Sequence, residues 1–283
     1  MKKVLLWVRI IRPQTLFASL VPVLVGLHVA NGLPSAAHHP LLAGILTAIC
    51  AVSLQVLANL INDYYDFVRG TDKAGRQGFK RALAEGEVSM GQMKAACLTT
   101  LAITVATGFY LVLVGGWIIL AIGLSAILFA WLYTATSHSL SYLGIADMFV
   151  FLYYGVIASA GTTYIITHAF STTSFLAGAV CGLISMCVLM TNNLRDIDSD
   201  REAGKKTLPV RFGKRAAQAV LLVEVLLMPV FAWLAFGLSP AMLIGVAALA
   251  LYALILKAEG AQYNKCLLLA GLTNVLYYIL ILL

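Results

Sequence analysis

Nine apolar stretches follow one another through the 283 residues, approximately at 14–32, 41–64, 92–113, 117–134, 140–166, 174–193, 215–236, 240–256 and 265–283. Each is close to the roughly 20 residues a helix needs to cross hydrocarbon, where every backbone N–H and C=O must be satisfied within the segment. None shows the apolar and polar alternation of a membrane-crossing strand, so helices are expected and a barrel is not. With 61% hydrophobic and only 11% charged residues, too little polar surface remains to wrap a soluble domain. The expectation is an all-α integral membrane protein, with residues 1–283 forming one domain. Its nine transmembrane helices make a single bundle around a central cavity.

The basic residues orient this bundle. Four precede the first stretch (Lys2, Lys3, Arg9, Arg12) and six lie between the second and third (Arg69, Lys73, Arg76, Lys80, Arg81, Lys94). Seven lie between the sixth and seventh (Arg195, Arg201, Lys205, Lys206, Arg211, Lys214, Arg215) and two between the eighth and ninth (Lys257, Lys265). These gaps all fall on one side, which the positive-inside rule makes cytoplasmic; an odd number of spans then puts the carboxyl terminus outside. The net charge of +7 is a topology signal first, and an attraction for anionic head groups or substrates second. Nucleic-acid binding is excluded, because the bases flank membrane helices instead of lining a soluble face. Arg9 and Arg12 interrupt the apolar run after Met1-Lys2-Lys3, so this start reads as an interfacial segment, not a cleaved signal peptide. Five cysteines without CxxC spacing and five scattered histidines are expected to pack or face solvent, not to bind zinc.

The acids are concentrated. Asp63, Asp66 and Asp72 at the end of the second stretch and just beyond it, with Asp196, Asp198 and Asp200 after the sixth, are six of twelve carboxylates. Both groups stand at cytoplasmic ends, where the cavity is expected to open. On a continued helix Asn59, Asn62, Asp63 and Asp66 share one face, and Asn192, Asp196 and Asp200 form an i, i+4, i+8 stripe. Asp72 follows Gly70, where the helix is expected to stop. Carboxylates this close repel unless they share a cation, and an all-oxygen donor set suits Mg2+, which takes one or two carboxylates together with substrate phosphates. Arg195 and Lys205 are the cations best placed to neutralise a diphosphate. Asp147 and Glu224 are expected inside the bilayer, where each charge costs roughly 2.5–3.5 kcal/mol on insertion scales, which invites a functional reading for Asp147 and internal pairing or neutrality for Glu224.

At these residues the chain resembles the UbiA superfamily of intramembrane prenyltransferases, closest to its 1,4-dihydroxy-2-naphthoate polyprenyltransferase branch. The similarity runs from Arg12-Pro13-Gln14-Thr15 through Asn62-Asp63-Tyr64-Tyr65-Asp66 with Gly70-Thr71-Asp72, then Tyr133-Thr134 and Leu143-Gly144-x-x-Asp147, to the block from Asn192 to Gly204. It implies Mg2+-dependent transfer of a polyprenyl group from polyprenyl diphosphate to an aromatic ring carbon. The acceptor implied is 1,4-dihydroxy-2-naphthoate, giving demethylmenaquinone with loss of CO2 and diphosphate at the cytoplasmic side of a bacterial inner membrane. By position, Asn62, Asp66, Asp72, Asp196 and Asp200 are implied as metal ligands, and Asn62, Asn192, Arg195 and Lys205 as diphosphate contacts. Asp66, Asp196 and Arg195 would carry catalysis, while Tyr133 and Asp147 would border the aromatic pocket. Asp63 and Asp198 match less constrained positions. Where the family often has a basic residue after its Tyr-Thr pair, this chain has Ala135 to Ser141, with His138 the nearest replacement.

Two other readings are open. 4-Hydroxybenzoate or another quinone-precursor ring is an alternative acceptor. A secondary transporter also uses intramembrane polar residues, but its sites lie near the midplane, whereas these acids crowd one surface.

Overall fold

A computed structural model of the chain describes residues 2–70, 81–134 and 140–283. Its helices are α1 (Lys2–Ile11), α2 (Pro13–Asn31), α3 (Pro40–Val68), α4 (Met90–Leu132), α5 (Leu140–Leu143) and α6 (Ala146–Phe151). After a π turn at Leu152–Val156 come α7 (Ile157–Thr167), α8 (Thr172–Arg195), α9 (Ile197–Glu202), α10 (Leu208–Phe236), α11 (Ile244–Lys257) and α12 (Tyr263–Leu282). No strand occurs among the described residues. The all-helical expectation is met.

The helix starts follow from local chemistry. Pro13 and Pro40 occupy the first position of α2 and α3, where proline's fixed φ suits the helix and its missing N–H has no intrahelical acceptor to lose. Ser89 caps α4 reciprocally: its hydroxyl accepts from the Gln92 N–H at 3.2 Å, and its own N–H donates to Gln92 Oε1 at 2.8 Å. Such a box satisfies two otherwise orphaned donors.

Eight helical segments, not nine, are long and apolar enough to cross a membrane among the described residues. The difference lies in α4, whose 43 residues contain both the third and fourth expected spans. A straight helix of that length would extend about 65 Å, twice the hydrocarbon thickness. The chain breaks direction at Gly116, where φ is 69° and ψ −155°, a conformation that glycine adopts without steric cost. One residue therefore does what a loop was expected to do.

The fifth expected span also differs in detail. Gly144 (φ 73°) separates α5 from α6, and a Cβ on it would run into the carbonyl oxygen of Lys206. The segment around Tyr142 is thereby held against the chain that leads into α10, and the Lys206 N–H donates to the Tyr142 carbonyl at 3.1 Å.

At the centre stands α8, whose Val180, Cys181, Ile184, Cys187 and Met190 are all essentially inaccessible. It packs on α2, α6, α7, α10 and α12. Close approach on the α6 side depends on small residues: a Cβ on Gly155 would overlap Gly178 and Gly182 of α8, so backbone meets backbone, as is common between helices in lipid. Because α2 packs on both α3 and α8, it brackets the two helices whose ends carry the acids. The outer surface is inverted relative to a soluble protein: Trp117 is 77% exposed while Asn274 is fully buried. Helix α1 lies alongside, with Leu6, Trp7 and Ile10 packed among Leu60, Leu83, Val88 and Met93 and with Val4 and Leu5 facing outward. That division is typical of a helix lying in the membrane interface.

Candidate active site

The face of α3 that the spacing of its polar residues defines is divided between two tasks. Asn59 and Asp63 tie down the junction of α1 and α2. Asn59 Nδ2 donates to the Ile11 carbonyl and to Thr15 Oγ1, both at 3.0 Å, and Gln55 Nε2 donates to Asn59 Oδ1 at 3.3 Å. Asp63, 3% exposed, pairs with Arg12 and, at 2.8 Å, with Arg81. Arg12 stands in the left-handed region at φ 57°, a conformation that costs a non-glycine residue about 1–3 kcal/mol and persists only where surroundings impose it. Its ion pair with buried Asp63 supplies such a restraint.

Asn62 and Asp66 belong to the other task. Asn62 Nδ2 donates to Asp66 Oδ2 at 3.1 Å and to Thr134 Oγ1 at 3.0 Å, which links the end of α3 to the end of α4. Asp66 is 3% exposed. Asp72 and His138 lie outside the described residues.

The second acid segment begins where α8 stops. Asp196, with φ −99° and ψ 15°, breaks the helix and at the same time starts α9. The Arg195 guanidinium turns back over it: Nε donates to Oδ1 at 2.7 Å and Nη2 to Oδ2 at 2.6 Å. Two further donors of Arg195 go to Asn192 Oδ1 at 2.7 Å and Asn264 Oδ1 at 2.9 Å. All three nitrogens of the Arg195 fork thus hold protein oxygens, and Asn264 of α12 is a partner that no sequence pattern signalled. Asp200 is buried and pairs with Lys205 Nζ at 3.3 Å. Asp198, by contrast, pairs with Arg201 out in solvent.

Lys205 joins the segments. Burial pushes its ammonium pKa down, but the Asp66 and Asp200 carboxylates beside it more than offset this, so the value is raised and the side chain is held charged. Tyr133 bears on the same space from the end of α4, with Tyr154, Asp147, Asp200 and Asp66 all within electrostatic reach of its hydroxyl. Two carboxylates more than a hundred residues apart therefore lie within electrostatic reach of the same cation and the same phenol. Asp147 lies in the first turn of α6 with Oδ1 buried and, among the described residues, without a hydrogen-bond partner. Glu224 lies away from the acids' helix ends, buried against α8, where the Cys187 thiol donates to its Oε2 at 3.5 Å.

The donors around Lys205 are oxygens, as Mg2+ prefers. Among the described residues no three His, Cys, Asp or Glu side chains converge into a ready cage. The set fits an ion that takes one or two carboxylates and completes its shell with phosphate oxygens, not one enclosed wholly by protein.

Residues 19–276 match the UbiA prenyltransferase family. The 1,4-dihydroxy-2-naphthoate octaprenyltransferase of Escherichia coli is 37% identical over 218 residues, covering 74% of this chain and 68% of that one. The enzyme of the same name from Mycobacterium leprae is 32% identical over 240 residues, covering 82% and 80%. A UbiA homolog from Archaeoglobus fulgidus, solved with GPP and Mg2+, superposes with a TM-score of 0.70 at 19% identity over 96% of each chain, a likeness of fold.

Proposed function

Because the chain belongs to the UbiA prenyltransferase family, we propose that it transfers a polyprenyl group from polyprenyl diphosphate to a carbon of 1,4-dihydroxy-2-naphthoate. Demethylmenaquinol, the reduced form of demethylmenaquinone, is the product together with CO2 and diphosphate. What supports siting this chemistry at the two helix ends is that Lys205, ion-paired to Asp200 at 3.3 Å, also lies within electrostatic reach of Asp66.

In this reading Asn62, Asp66, Asp72, Asp196 and Asp200 hold Mg2+ and the diphosphate, with Asn192 supporting them. Mg2+ bound there supplies Lewis-acid neutralisation of the negative charge that builds on the leaving diphosphate. Lys205, already charged, adds a second neutralising centre at the same place. Arg195 acts as a positioning residue: by gripping Asp196 and Asn192 it fixes the second acid segment at the α8–α9 break. The allylic carbon to oxygen bond breaks with its electron pair going to the diphosphate, and the allylic cation left behind must be kept from water. Tyr133 borders that dry side, and Asp147, whose Oδ1 lacks a partner, orients the ring acceptor.

The membrane placement follows the same reasoning. Residues 90–115 and 117–132, parted at Gly116, count as two spans, which makes nine, with the amino terminus and the acids cytoplasmic and the carboxyl terminus outside. The test is a purified-protein assay with Mg2+, a polyprenyl diphosphate and a panel of aromatic acceptors. Diphosphate release is expected with 1,4-dihydroxy-2-naphthoate and not with 4-hydroxybenzoate. Preference for 4-hydroxybenzoate would reassign the acceptor, and solute flux without any product would overturn the enzyme reading.

A further inference from the structure

Among the described residues, ion pairs engage most of the arginines around the acid segments. Arg9, Arg12, Arg81, Arg195 and Arg201 each hold a carboxylate, on Glu87, Asp63, Asp63, Asp196 and Asp198 respectively. Arg69 has no carboxylate partner among the described residues. It caps the C-terminus of α3, one turn beyond Asp66, and its guanidinium carbon lies 5.3 Å from the Tyr142 ring centre and 6.0 Å from that of Tyr65. Aromatic faces at this range attract a cation and fix the plane of the guanidinium. They satisfy none of its N–H groups. Nη1 of Arg69 is buried and, among the described residues, has no acceptor.

A buried, charged donor without an acceptor is costly, typically about 1–3 kcal/mol and more for ionised groups. Such a group is retained where an acceptor arrives with a ligand. What can arrive here is narrowed by position. Tyr142 is held to the Lys206 N–H through its carbonyl and is itself within electrostatic reach of Lys205, the residue that also feels Asp66 and Asp200. Arg69 therefore stands on the rim of the space the two acid segments enclose, opposite in charge to any phosphate lodged there. A planar fork with donors to spare and no carboxylate to hold matches phosphate oxygens, which arginine engages two at a time.

We propose that Arg69, stacked on Tyr65 and Tyr142, binds the diphosphate of the prenyl donor and is the principal arginine contact to it. The proposal rests on the reading above and adds a residue to it. Arg195, by sequence the natural choice for this task, is already committed to Asn192, Asp196 and Asn264. Tyr142 acts as a positioning residue, since its ring holds the guanidinium and its backbone joins Lys206.

The test uses the full chain in neutral detergent and titrates Mg2+ with inorganic diphosphate by calorimetry, alongside steady-state kinetics. Arg69→Gln is expected to weaken diphosphate binding about tenfold or more, the loss of a charge-assisted bond, and to raise KM for the donor by a similar factor. KM for the aromatic acceptor should stay within about twofold of the parent, whereas a general loosening of the fold would move both. Arg69→Lys, which keeps the charge but not the planar fork, should recover part of the loss. Tyr142→Leu should weaken binding in the same direction, and Tyr142→Phe should not. Equal diphosphate affinity in parent and Arg69→Gln would remove Arg69 from the site while leaving the proposed reaction standing. If Arg69→Gln instead loses only its response to added phosphatidylglycerol vesicles, the residue contacts a lipid phosphate and the proposal is wrong. A parent that binds no diphosphate in Mg2+ would bring down both this assignment and the reading it rests on.

Discussion

At the scale of single residues, Asp63 and Asp66 stand one turn apart on α3 and do different work. Asp63 faces two arginines from the α1–α2 junction and the chain before α4, so Asp63→Asn leaves Arg12 and Arg81 sharing a site without their counter-charge. Removing one member of a buried pair costs of the order of 3 kcal/mol. The expected outcome is a clear fall in the thermal midpoint of the detergent-solubilised protein, with Mg2+-dependent diphosphate binding kept wherever the fold survives. Asp66→Asn should do the reverse, sparing the midpoint and removing the binding; the opposite pattern would exchange the two roles. The concentration of acids at two helix ends was legible in sequence, because charges are rare in so apolar a chain. Their partners were not. Thr134 meets Asn62 across 72 positions and Asn264 meets Arg195 across 69, and no periodicity links residues that far apart. For the same reason the Asn264 contact of Arg195 and the tyrosine rings around Arg69 could not be read from the sequence.

At the scale of elements, the helices were readable from apolar length, and their interruptions were not. Gly116 and Gly144 both have positive φ, yet they differ in what surrounds them. Nothing lies within 4 Å of a Cβ placed on Gly116, while one on Gly144 would strike the Lys206 carbonyl. Gly116→Ala should therefore cost only the backbone penalty of a positive φ with extended ψ, a region essentially reserved to glycine, about 1–3 kcal/mol of stability, with turnover retained. Gly144→Ala must push apart the segments that carry Tyr142 and Lys205, and a misplacement on the order of 1 Å near reacting groups can cost about a hundredfold. Unfolding and kcat/KM measured on both variants check this contrast, and equal turnover in the two would show that the Gly144 contact does not position the site. The π turn at Leu152–Val156 had no signature at all: its residues suit a helix of either pitch, and packing of Gly155 on Gly178 and Gly182 decides the local geometry.

At the scale of the molecule, the bundle brings together two helix ends that the chain separates by more than a hundred residues, with α2 packed on both helices and with Lys205, ion-paired to Asp200, within electrostatic reach of Asp66. The central claim is that Asp66 and Asp200 grip one Mg2+-diphosphate jointly, each incomplete without the other. Joint grip has a thermodynamic signature, because residues acting on one ligand are not additive when removed together. The decisive measurement is calorimetric titration of Mg2+-diphosphate into the parent, Asp66→Asn, Asp200→Asn and the double variant. Each single substitution is expected to abolish most of the binding, with the double variant little worse than either. Two modest losses that simply add, or undiminished binding in either single variant, would contradict a shared site.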